Sequence, residues 1–174
     1  VSTHDEQVRS DGFSVEDDLN QSLEARMRVR REEIESLVSE KFPLPRFESM
    51  CAVELRVIGY EGQRALFERN KRQRNAALKE LYTACDAILA ATVGFYELRS
   101  SDDEEGIPKD YSWNSLAELV LADDLRDDAT PRQALLALLG AEAIPLLWND
   151  WQEWMGGQRM DMDRELERDF PATK

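Results

Sequence analysis

Side chains able to do chemistry are few in this sequence. A nucleophile–base pair needs an imidazole held in place by the fold. The one histidine, His4, sits in a polar N-terminal stretch. The two cysteines, Cys51 and Cys85, lie far apart and match no metal or redox spacing. They read as reduced thiols of a cytosolic protein. No CxxC, HExxH or EF-hand pattern occurs, and no GxxxxGK-S/T or GxGxxG loop, so no dedicated metal, nucleotide or other cofactor site is expected. The run Asp102-Asp103-Glu104-Glu105 could hold a divalent ion weakly, but adjacent acids beside Gly and Pro read first as solvated loop charge. Arg64, Arg69, Lys71, Arg72 and Arg74 form a basic cluster, expected to pair with the acidic loops of the same chain. Asp86 is the one charge between Leu81 and Tyr96 and is expected at a helix edge or hydrogen-bonded to a neighbour. Nothing singles out a catalytic pair, and an enzyme is the least favoured class.

The densest recognition chemistry is aromatic. Three of four tryptophans fall in Leu146–Gly157, LLWNDWQEWMGG. At about 100° per residue, Ile144, Leu147, Trp148, Trp151, Trp154 and Met155 share one arc of a helix, about 120° wide. Asn149, Asp150, Gln152 and Glu153 fall outside it. Such a face either closes a hydrophobic core or is a docking surface. In the second reading Leu147, Trp148, Trp151, Trp154 and Met155 form a partner-binding face, since aromatics are enriched at interface hot spots.

The chain carrying these residues has 174 of them, a length that fits one domain. Its 42% hydrophobic residues suffice for a core. With 36 acidic against 22 basic residues the formal net charge is −14. A field of that sign repels nucleic-acid backbones and anionic membrane surfaces, and allows a basic partner or a DNA-mimicking role. No apolar run approaches the roughly 20 residues of a membrane span, and VSTHDEQVRSDGF lacks the pattern of a signal peptide.

Residues 1 to 18 read as a disordered acidic tail. A charged helix is expected from about Asp18 to Lys41, ended by Pro43 and Pro45. In Cys51–Phe67, Val53, Leu55 and Val57 alternate with Glu54 and Arg56, which predicts a strand. Gly59 and Gly62 would turn the chain, making Gln63–Phe67 the return strand of a hairpin at about 51–67. The strongest helical spacing, Leu78, Leu81, Cys85, Ile88, Thr92 and Phe95, predicts one long buried helix from about Asn70 to Arg99. A short helix over Trp113–Leu121 follows the acidic loop. Thr130, Pro131 and Gln133 have the form of a capped helix start, with Gly140 as its stop. The last helix is expected from about Glu142 to Met155, ended by Gly156 and Gly157, with 158–174 a charged flexible tail, either a frayed helix or disordered. These elements predict a mainly α fold over 19–157, a helical domain around one central buried helix with a small β-hairpin.

The block VIGYEGQRALFERNKRQR, with ELYTACDAILAATVGFYELR after it, resembles the tail assembly chaperones of long-tailed bacteriophages, in particular those of actinobacterial hosts. The resemblance covers about residues 50 to 155 and rests on Gly59, Tyr60, Gly62, Ala84, Asp86, Ala87, Leu89, Ala91, Gly94, Phe95 and Tyr96. It implies a hairpin before an alanine-rich helix, and a non-catalytic helper of virion morphogenesis. Such a helper binds the tape measure protein, keeps its helical segments dispersed and recruits tail tube subunits. It works in the cytoplasm of the infected bacterial host and is not expected in the mature virion. Self-association is left open. Two other classes are compatible with the acidic composition: a regulatory or DNA-mimic protein that blocks a basic partner, and a structural head–tail connector.

Overall fold

Alternation of wet and buried residues in the chain's middle produces a sheet larger than the sequence reading expected. The structure is a computed structural model that describes residues 22–169. His4, the whole of the acidic tail and the last five residues lie outside that range. In chain order the elements are α1 (Leu23–Leu37), β1 (Ser39–Pro43), β2 (Cys51–Arg56), α2 (Tyr60–Arg69), α3 (Ala76–Ala91), β3 (Thr92–Glu97), β4 (Ile107–Lys109), α4 (Trp113–Leu121) and α5 (Pro131–Asp169). The strands form one antiparallel sheet in the order β1-β2-β3-β4. Phe42, Val53 and Phe95 stand in register across it, all buried.

The expectation of a mainly α fold with one hairpin is therefore corrected. Of the described residues 60% are helical, and they carry a four-stranded antiparallel sheet, a mixed α and β architecture. Three local misreadings account for the difference. The return strand expected at Gln63–Phe67 is the body of α2, entered from an extended Gly59. Gly62 is required there by packing: a Cβ at this position would lie 2.7 Å from Cγ2 of Ile58. The long helix expected from Asn70 to Arg99 begins only after Asn75, whose side chain accepts from Leu78 N at 3.1 Å. It ends at Thr92, where the backbone turns extended. Thr92, Val93, Phe95 and Tyr96 are β-branched or aromatic and suit a pleated surface, and they form β3. Finally, β1 begins within the last residues of the stretch assigned to the first helix. It is held by its ladder to β2, a pairing no local pattern announces.

The sheet packs one face inward and leaves the other to solvent. On the outer face Ser39 Oγ donates to Glu54 Oε1 at 2.5 Å and Tyr96 Oη to Glu54 Oε2 at 2.6 Å. Lys41 Nζ stands 4.0 Å from the Tyr96 ring centroid. Both edges carry proline, Pro43 in β1 and Pro108 in β4, which removes ladder donors and blunts edge pairing. Behind the sheet, the small residues Ala84, Ala87 and Ala91 of α3 are buried, and α3 packs on α5.

The capping of α5 is as the sequence predicts. Gln133 N donates to Thr130 Oγ1 at 3.2 Å, and Thr130 N donates to Gln133 Oε1 at 2.8 Å. The helix breaks at Gly140, whose φ of 77° and ψ of 161° only glycine adopts readily. It does not stop at Gly156 and Gly157, and continues to Asp169. The segment expected as a flexible tail from 158 is thus helical as far as the description extends.

Candidate partner-binding surfaces

The tryptophan face of α5 turns inward. Leu147, Trp151 and Met155 are fully buried, and Trp148 and Trp154 pack half-buried against the core. Trp151 Nε1 donates to Arg56 O at 3.2 Å, which satisfies the indole where β2 ends. Its ring meets Trp148 edge-on at 5.4 Å between centroids, and Trp154 meets Phe42 edge-on at 5.7 Å. Met155 Sδ receives the Gln63 Nε2 donor at 3.9 Å. Of the two readings of this face, the structure places it in the core, where it locks α5 onto the sheet and α2. It offers no continuous docking surface.

An open apolar surface lies elsewhere. α4 is nine residues long and apolar on most sides, WNSLAELVL. It is started by a capping box in which Ser115 N donates to Ser112 Oγ at 3.1 Å and Ser112 N to Ser115 Oγ at 2.8 Å. Trp113, Leu116 and Ala117 face inward, Trp113 donating to Thr92 Oγ1 at 3.0 Å. So short an element cannot bury a full circumference of apolar residues. Leu119 is 68% exposed and Val120 44%. Opposite them the 44–50 loop is folded by Phe47 N to Leu44 O and Met50 N to Phe47 O, both 2.9 Å, and holds Met50 64% exposed. Between α4 and this loop is a cavity of about 290 Å³, with Leu44, Leu116 and Leu138 as a buried floor and Phe47 and Tyr111 on its walls. Glu97 lines it as well, paired with Lys109 at 2.8 Å. Glu118 on α4 and Asp123 and Asp124 just after it add negative charge.

Cys51 also lines this groove. Burial, and then the charge of Glu97, push its thiol up to about 11, so it stays protonated at neutral pH and is a poor nucleophile. Burial does the same to Cys85, again to about 11. Both cysteines are free.

The remaining candidates have structural roles. Asp86 is buried and accepts from Arg132 at 2.6 to 3.0 Å and from Asn70 Nδ2 at 2.9 Å, which joins α3 to α5 and to the end of α2. Asp103 accepts from the backbone N of Arg99 and Gly106, both at 3.0 Å. These donors hold its carboxyl below the usual range and tie the loop. Among the described residues no group of three or more His, Cys, Asp or Glu is placed to hold a metal ion, and no helix is long and apolar enough to cross a membrane. In the basic cluster, the one ion pair among the described residues is Lys71 to Glu68 at 3.3 Å. Among the described residues the expected pairing with the acidic loops is not formed.

Comparison with family models, with curated proteins and with solved structures finds no match. Of the residues that carry the resemblance stated above, Ala84, Asp86, Ala87, Leu89 and Ala91 lie in a helix, α3, as it implies, and others do not. Gly59 and Gly62 lie at the start of α2 instead of in a hairpin turn, and Gly94, Phe95 and Tyr96 lie in β3 instead of at a helix end. The groove residues were visible in the sequence only through α4, whose apolar excess signals an uncovered side. Met50, alone in a loop, gives no such signal.

Proposed function

We propose that this chain is a non-catalytic assembly chaperone, of the kind that serves phage tail morphogenesis, and that it holds an apolar helical segment of the tape measure protein. The observation that carries this reading is the groove between α4 and the 44–50 loop. Met50, Leu119 and Val120 stand exposed around a buried leucine floor, Glu97 lines it, and Glu118, Asp123 and Asp124 lie on or just after α4. A groove of that form suits an amphipathic helix presenting apolar residues at i, i+3 or i+4, and i+7, with Lys or Arg flanking them. The net charge of −14 suits the second task of a holdase, keeping the complex dispersed. The same reading places the chain in the host cytoplasm, recruiting tail tube subunits and leaving before the virion matures.

The test is co-expression with a helical fragment of a candidate tape measure protein. The wild-type chain should keep the fragment in the supernatant, and a Met50→Asp, Leu119→Asp double variant should let it pellet. A fragment that pellets in both cases overturns the reading. Capture of a basic partner that is lost at high salt, with the groove variant as effective as wild type, would favour the acidic regulatory or DNA-mimic reading instead.

A further inference from the structure

The groove at α4 depends on a loop that has little to hold it. α4 supplies Leu119 and Val120, the part of α5 before its break supplies Leu138, and the 44–50 loop supplies Phe47 and Met50. The two helices pack on each other. The loop is closed by bonds within itself and at its ends: Leu44 N donates to Cys51 O at 2.9 Å, Arg46 N to Glu48 Oε1 at 3.0 Å, and Leu98 N to Met50 O at 2.8 Å. Among the described residues no side-chain hydrogen bond or ion pair joins residues 44–50 to another element. Arg46 makes a contact of a different kind. Its guanidinium lies against the backbone of Gly140, where a Cβ would stand 3.2 Å from Nη2, 3.4 Å from Nη1 and 3.6 Å from Cζ. There the first segment of α5 ends, and the end of a helix favours a cation beside its last carbonyls.

The backbone is bent to make this contact. Arg46 has a φ of 74°, in the left-handed region that long side chains seldom enter. Among the described residues the other non-glycine with positive φ is Ala122, at 46°, directly after α4. Both walls of the groove therefore adjoin strained backbone. Such strain persists only where the surroundings hold it, and it clusters at sites that bind.

We propose that Arg46 is a positioning residue of the groove: seated on Gly140, it clasps the 44–50 loop to the break of α5 and holds Phe47 and Met50 as a wall. Gly140 then has two tasks, breaking the helix and leaving room for the guanidinium. The inference rests on the groove reading and adds to it the residue that sets the wall before a partner arrives, which lowers the cost of ordering it on binding.

The experiment is amide hydrogen exchange, followed by NMR on the full chain with no partner present. Arg46→Asn keeps a residue that tolerates positive φ and removes the guanidinium. The Phe47 and Met50 amides, bonded to Leu44 O and Phe47 O, should exchange about tenfold faster or more than in wild type, with the amides of α3 unchanged. Gly140→Ala, which fills the space of the guanidinium, should speed the same two amides; if that variant does not fold, Arg46→Asn decides alone. Loop rates within about twofold of wild type in Arg46→Asn would overturn the proposal. So would an equal rise in the loop and in α3, which would make Arg46 a general stabiliser of the fold. These rates need no partner, so they judge the clasp separately from the co-expression that judges the chaperone reading.

Discussion

Arg132→Met should destabilise this protein severely, although Arg132 lies on the outer side of α5. Its partner Asp86 has only 4% of its side chain exposed, against 32% for Arg132. Removing the arginine leaves a buried carboxylate with one remaining side-chain donor, Asn70 Nδ2. Breaking a buried ion pair from one side costs about 3–5 kcal/mol. Partial solvent access at Arg132 and the surviving Asn70 bond place this case below that range, at about 2–3 kcal/mol. Arg132 also lies 4.7 Å from the Tyr82 ring centroid, a cation–π contact that adds about 0.5–1 kcal/mol. The total is about 3 kcal/mol. With a urea m-value of about 2 kcal/mol/M, the unfolding midpoint should fall by about 1.5 M. Adding Asp86→Asn should restore part of the loss, because the residue left behind no longer carries charge. A midpoint lowered by less than about 0.3 M in Arg132→Met would refute the reasoning, and so would a double variant less stable than the single one.

Other outcomes follow from the same packing. Trp151→Ala should cost about 3–5 kcal/mol in chemical denaturation, as expected for a large side chain in a close-packed core, while Leu119→Asp should change stability by no more than about 0.5 kcal/mol; the opposite ranking would mean that the two surfaces have been assigned the wrong way round. Gly156→Ala and Gly157→Ala should each raise stability by about 0.5–1 kcal/mol, since both lie within a helix and an added Cβ meets nothing within 4 Å; a loss in either would show that the helix bends there in solution. The hydrogen bond from Ser39, then that from Tyr96, hold the Glu54 carboxyl below its usual 4.5, so its stabilising effect is full above that value and fades as pH falls through the lowered one. The Tyr96 phenol is raised above its usual 10.0 by the same bond, so its contribution is full below pH 10 and is lost as pH rises through the raised value. Melting midpoints across pH should therefore fall at both flanks in wild type, whereas Tyr96→Phe should remove the alkaline fall and only part of the acid one, which Ser39 sustains; equal profiles would deny the contact.

Local signals were legible in the sequence where the structure is local. The period-two run Val53-Glu54-Leu55-Arg56 is β2, Trp113–Leu121 is α4, and Thr130, Gln133 and Gly140 set the start and the break of α5 as their side-chain chemistry requires. The sheet was not legible, because its partners are remote. Ser39–Pro43 becomes a strand through pairing with β2, and Thr92–Glu97 has residues at three-four spacing by coincidence with a helix that ends just before it. A helical stripe and a strand both bury apolar residues, and in six residues the two periods are hard to separate. Gly59 and Gly62 misled for another reason: Gly62 is needed for the approach of Ile58, and glycine serves close packing as readily as a turn. The tryptophan arc was read correctly as one helical face. Whether it faced inward depended on Arg56 O and Phe42, residues about a hundred positions away.

The working surface of this molecule is held here to be the groove at Met50, Leu119 and Val120, engaged through apolar contact. Titration calorimetry of the full chain with the tape measure fragment, at about 0.1 M and about 0.5 M salt, puts that to the test. The affinity should survive the higher salt and fall about tenfold or more in Leu119→Asp, with the binding heat capacity negative, as burial of apolar surface requires. Binding that vanishes at high salt, or that Leu119→Asp leaves unchanged, would contradict it.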